Sequence, residues 1–129
     1  MKKASRIRAS VIASAALFAC YLLCGHVFLH LHGMGQWPIV LLVFGLIVIV
    51  ISALANARNV MIGTIAGYLT GFALGMVLGH DYYMSVGLMP DGHELFIPRH
   101  NGWAIWTLAY LAFIALGVIG EVISRYRAT

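Results

Sequence analysis

Charge is what this sequence has least of. Lys and Arg number 8 and Asp and Glu only 4, so 9% of 129 residues are charged. A soluble domain carries about a quarter, which excludes a water-exposed globular fold. The formal net charge of +4 does not mark a nucleic-acid binder, because its sources sort to one side of the apolar segments. Cysteine is nearly absent as well. Cys20 and Cys24 lie together in an apolar run, which excludes a disulfide framework and leaves them as small buried side chains. None of the acids Asp81, Asp91, Glu94 and Glu121 falls in the middle of an apolar run, which argues against proton-coupled transport. A hydrolase elbow, a phosphate loop and a dinucleotide fingerprint are also missing.

What fills the chain instead is apolar: 62% of residues are hydrophobic and the mean hydropathy is +0.94. Runs long enough to cross about 30 Å of hydrocarbon occur at about 9–29, 38–55, 60–79 and 103–123. These predict an all-α integral membrane protein, a single domain forming an up-down bundle of four transmembrane helices. The first run follows Lys2, Lys3, Arg6 and Arg8 and resembles a signal peptide, with Leu17-Phe18-Ala19-Cys20 approximating a lipoprotein cleavage box. Phe18 sits where a small residue is usual and the run exceeds a signal core, so it is read as a retained span. Trp37-Pro38 opens the second span, Pro costing nothing in a helix's first turn. That span is the most apolar, interrupted only by Gly45 and Ser52, and is expected to face lipid more than the others. A tight turn at 56–59 makes spans two and three an antiparallel hairpin. Trp103 and Trp106 are expected at the interface where span four begins.

The organising stretch is the third span. Gly63, Gly67, Gly71, Gly75 and Gly79 repeat at intervals of four. In water each interior glycine would weaken a helix by about 0.5–1 kcal/mol. In a bilayer the backbone must satisfy its own hydrogen bonds, so the segment is helical regardless. Its glycines form a groove about 24 Å long that admits another backbone closely. One expected occupant is the small-residue stripe Ala16, Cys20, Cys24 of span one. Five glycines exceed what one short crossing uses, which favours self-association, or docking on a larger membrane protein.

Lys2, Lys3, Arg6, Arg8, Arg58, Arg125 and Arg127 fall on one side of the spans and Arg99 alone on the other. By the positive-inside rule both termini are cytoplasmic and the loop 80–101 is external. That loop carries Met89-Pro90-Asp91-Gly92, residues suited to a type I turn, between flanks able to pair as a hairpin. A loop this long is not a bare connector.

All six histidines lie at or beyond the outer boundary. Counting residues from the inner boundary places His26, His80 and His100 at one depth, with His30 and Asp81 close by. Imidazole and carboxylate suit a divalent transition metal such as zinc, copper or nickel. The competing account is that histidine is amphipathic and settles at a headgroup boundary without binding anything. Glu121 and Arg125 stand four apart in the favourable order for a salt bridge.

The reading is a small, non-enzymatic protein of a plasma membrane, bacterial inner membrane in type. It oligomerises or joins a larger membrane complex through the glycine helix, with the external loop as recognition surface. The alternative is a transporter or metal-handling protein using the outer histidine layer, and an enzyme with a boundary metal ranks third.

Overall fold

The computed structural model describes residues 3–32 and 37–128, the side chains at 25, 27–32 and 97–99 excepted. It contains α1 (Lys3–His32), α2 (Trp37–Leu54), α3 (Arg58–Leu78), β1 (Asp81–Leu88), β2 (Glu94–His100) and α4 (Gly102–Ala128). The four helices are each long and apolar enough to cross a membrane. At 1.5 Å per residue, the 30 residues of α1 extend about 45 Å, longer than the hydrocarbon of a bilayer is thick. The helix therefore takes in the basic residues from Lys3 onward, which the expected start near residue 9 had left outside. Helix α4 likewise continues past Ile123 to Ala128. The connection between the first two spans, where Gly33 and Gly35 supply a turn signal in the sequence, lies outside the described residues.

Successive helices alternate in direction. Leu54, at the end of α2, shares a groove with Lys3 at the start of α1. Gly75 and Gly102 meet at one end of the α3–α4 pair, and Gly63 and Gly117 at the other. Helix α3 packs along α4 and also touches α1 and α2, while α2 reaches α4 through Trp37, Leu41 and Phe44.

The core is built from one buried line per helix. On α1 it runs Ala13, Leu17, Cys20, Cys24, steps of four, three and four that keep to one face. Ala16 is only half-buried, so Leu17 takes the place expected of it in that line. On α2 both breaks in the apolar run are buried. An added Cβ on Gly45 would collide with the Tyr110 hydroxyl and with Leu17, and Ser52 Oγ returns its hydrogen bond to Val48 O at 2.6 Å. The expectation that α2 faces lipid most is corrected: 33% of its span is buried, against 17% for the spans of α1 and α4. High hydropathy reports only that a surface tolerates lipid, and a neighbouring helix is equally apolar.

Strands β1 and β2 form a two-stranded antiparallel sheet between α3 and α4, with a bulge between Ser85 and Gly87. Its turn closes through Gly92 N–H donating to Met89 O at 2.9 Å, and Gly92 has φ +90°. Few residues other than glycine hold that conformation without strain.

Candidate functional site

The glycine face of α3 lies against α4 of the same chain. A Cβ built on Gly63 comes 2.6 Å from Phe113 O; on Gly67, 2.7 Å from Phe113 Cβ; on Gly71, 2.8 Å from Trp106 O. On Gly75 it comes 2.5 Å from Gly102 O, and on Gly79 2.5 Å from the His100 ring. The approach is mutual, since a Cβ on Gly117 comes 2.7 Å from Asn59 O. This corrects two expectations. The groove's occupant is α4, while Cys20 and Cys24 are buried in the core cluster together with Tyr68, Trp106 and Tyr110. The five glycines are also used within one chain, because α3 and α4 run alongside one another for the whole groove rather than crossing briefly. The excess of glycine therefore gives no argument for self-association.

Next to the groove sits an aromatic cluster. Tyr68, Trp106 and Tyr110 are completely buried. Tyr68 meets Trp106 edge-on with centroids 5.1 Å apart, and Tyr110 with centroids 5.6 Å apart. Their polar atoms are satisfied on backbone, as a dry interior requires. Tyr68 Oη donates to Pro38 O at 3.0 Å, Trp106 Nε1 to Tyr68 O at 3.0 Å, and Tyr110 Oη to Leu41 O at 3.3 Å. Trp106 was expected at the interface and is instead in the core. Trp37 and Trp103 pair edge to face at 5.2 Å, and Trp37 Nε1 donates to Thr107 Oγ1 at 3.0 Å.

At the basic end of the bundle, α4 fastens the turn between α2 and α3. Ala57 caps α3 and offers no side-chain acceptor, one of the poorest residues for that position. Glu121 replaces the missing acceptor from another helix, taking the Asn59 N–H at 3.1 Å. Arg125 lies 3.4 Å from Glu121 and donates to the Ala55 and Asn56 carbonyls, which follow α2. The pair expected within one helix thus also caps the ends of two others. Beneath it is an apolar groove of about 380 Å³ among Val48, Ile51, Val60, Val118 and Val122.

At the opposite end, the base of the hairpin is tied tightly. His80 N–H donates to Asn101 Oδ1 at 2.6 Å, and Asn101 N–H to His80 O at 3.2 Å. The His80 ring reaches Asn101 Nδ2 at 3.3 Å. His100 is buried, and its Nδ1 accepts the Gly102 N–H at 3.0 Å. His26 is exposed on α1 and Asp81 on β1, while the His30 side chain lies outside the described residues. Among the described residues no three His, Cys, Asp or Glu side chains come together as a metal requires. Equal depth along helices fixes a level but not a direction around each axis, so the expected triad does not assemble.

Beyond its base the hairpin stands clear of the bundle, every described side chain from Asp81 to Phe96 being exposed. Its tip is held by Asp91, whose Oδ1 accepts the His93 N–H at 3.1 Å and whose Oδ2 lies 2.9 Å from His93 Nδ1. These hydrogen bonds from the His93 backbone and ring hold the Asp91 carboxyl below its usual range. Strand alternation puts Tyr83 and Phe96 on one face and Tyr82, Met84 and Leu95 on the other. Tyr83 is 73% exposed, Leu88 74% and Phe96 52%, so both faces offer apolar surface to the surroundings.

These features define a helical protein compatible with multiple membrane crossings, carrying an exposed β-ribbon between its last two helices. Comparison with protein-family models, with curated proteins and with solved structures finds no match for this chain.

Proposed function

We propose that this chain is a small multi-pass membrane subunit without catalytic chemistry of its own, which recognises a partner protein through the ribbon β1–β2. The observation that carries this reading is exposed apolar surface on both faces of a two-stranded sheet. An isolated hairpin is marginally stable at best in water. A membrane surface would cover one face and leave the other wet, whereas a partner protein covers a face and extends an edge. Each strand has one unpaired edge, open to strand addition. The firm hydrogen bonding at Asn101 and His80 supports the reading, since a rigidly mounted ribbon loses less entropy on binding.

Apart from Arg99 on β2, the described basic residues lie at the opposite end of the bundle from the ribbon, so the positive-inside rule makes the ribbon external and the termini cytoplasmic. The membrane assigned is a plasma membrane, bacterial inner membrane in type. Docking moves from the glycine face, which α4 occupies, to the ribbon. No observation favours a metal-handling histidine layer. The test is a photo-crosslinking side chain placed at Leu88 or Phe96 in cells, with Leu108, exposed on the lipid side of α4, as control. A discrete protein adduct from the ribbon positions and not from Leu108 is expected, and an adduct of twice the chain mass would identify the partner as a second copy. Adducts to lipid alone, or the same pattern at all three positions, overturn the reading.

A further inference from the structure

The first turns of α1 and the last turns of α2 leave a groove of about 330 Å³ between them. Its α1 wall is Lys3, Arg6, Ile7, Ser10 and Val11, separations of three and four that fall on one helix face. Its α2 wall is Val50, Ala53 and Leu54, the small side chain of Ala53 widening the slot. Because the helices are antiparallel, the groove is graded along its length. Lys3 and Arg6 stand beside Leu54 at the helix ends, while Val11 and Val50 line the deeper part.

Arg6 supplies the independent observation. Its Nε is shut off from solvent and has no hydrogen-bond partner within the chain. A guanidinium stays charged at any ordinary pH, and leaving such a donor buried and unmatched costs free energy. Arg6 as a whole is only half-buried, and an anionic or strongly polar group from outside the chain would satisfy its guanidinium.

We propose that this groove binds an anionic glycerophospholipid. One acyl chain lies between α1 and α2 over Ile7, Val11 and Val50. The phosphate accepts hydrogen bonds from the Arg6 guanidinium and from Lys3, with the Ser10 hydroxyl in reach of the glycerol ester region. Cationic head above, apolar slot below is the polarity sequence of such a lipid entering from a bilayer leaflet. Anionic lipids are enriched on the cytoplasmic leaflet, the side that the basic residues select. This site stands apart from the ribbon and does not depend on how the ribbon is used.

The test uses the full chain purified in detergent. Native mass spectrometry and thermal unfolding are followed while phosphatidylglycerol, phosphatidylcholine or inorganic phosphate is added. Retained phosphatidylglycerol adducts and a raised unfolding temperature are expected with that lipid only. Arg6→Gln should weaken its binding about fivefold, the worth of one basic residue at an anionic surface, while unfolding normally without lipid. Arg127→Gln, a charge at the same end but outside the groove, should leave binding unchanged. Ala53→Leu should block the slot with both charges intact. Equal binding of the two lipids, equal loss from Arg6→Gln and Arg127→Gln, unchanged binding in Ala53→Leu, or full stabilisation by inorganic phosphate alone would each overturn the proposal.

Discussion

A single missing methyl group decides how α3 and α4 meet. At Gly75 an added Cβ would come 2.5 Å from the Gly102 carbonyl oxygen. The obstacle is backbone, so no rotamer change relieves it and the two helices must part. At Gly120 an added Cβ meets nothing within 4 Å. Alanine is the better helix former by about 0.5–1 kcal/mol in water, so helix propensity alone ranks both substitutions as neutral or favourable. Packing reverses the order at one site. Gly75→Ala is expected to destabilise by about 1–3 kcal/mol, the usual cost of overpacking a close contact, and Gly120→Ala to leave stability unchanged. Thermal unfolding of the two variants in the same detergent measures the difference. Equal midpoints would mean that α3 and α4 are not in backbone contact. The same scale explains Trp106. Tryptophan near a helix start suggests an interface, but this one lies where Gly71 leaves room for it and where the Tyr68 carbonyl accepts its N–H.

Between elements, the clearest cooperation is the pair Glu121 and Arg125 on α4. Glu121 caps the N-terminus of α3, where a carboxylate also meets the positive end of the helix dipole. Arg125 takes carbonyls left over beyond α2. Glu121→Ala removes the cap and should cost about 1 kcal/mol, as other lost caps do. Arg125→Ala should cost a similar amount, and the double variant less than the sum, because each residue holds the other in place. A double-mutant cycle on unfolding free energy checks this, and strict additivity would reduce the pair to a surface ion pair. From the sequence this pair was legible only as neighbours on one helix, since their further partners, Ala55, Asn56 and Asn59, come from a distant segment. Elements with a local cause were legible in outline, though α1 and α4 extend beyond their apolar runs. The four helices follow from apolar length, and the β-turn from Met89, Pro90, Asp91 and Gly92. Pairings between elements were not. Small residues at every fourth position require a close neighbour without naming it, and hydropathy cannot distinguish a lipid neighbour from a Leu-rich helix. The histidines failed for a related reason: residue counting gives their depth and leaves their azimuth free.

For the molecule as a whole, the fold gives the charge asymmetry its physical meaning. Lys3 and Arg6 share a groove with Leu54, and Arg125 bonds the Ala55 and Asn56 carbonyls beside Arg58. The basic residues of three helices therefore gather at one end of the bundle. Among the described residues the only basic one outside that end is Arg99, on β2 at the opposite side. Moving a charged side chain to the bilayer centre costs about 2.5–3.5 kcal/mol by insertion scales, so no residue of this cluster crosses cheaply, and the cluster as a whole biases insertion one way. A reporter fused after Thr129 is expected to be active in the cytoplasm, and a cysteine placed at Leu88 to react with a membrane-impermeant thiol reagent from outside intact cells. The native Cys20 and Cys24 are buried and should stay silent in that experiment. Labelling of position 88 only after the membrane is opened would reverse the orientation, placing the ribbon in the cytoplasm.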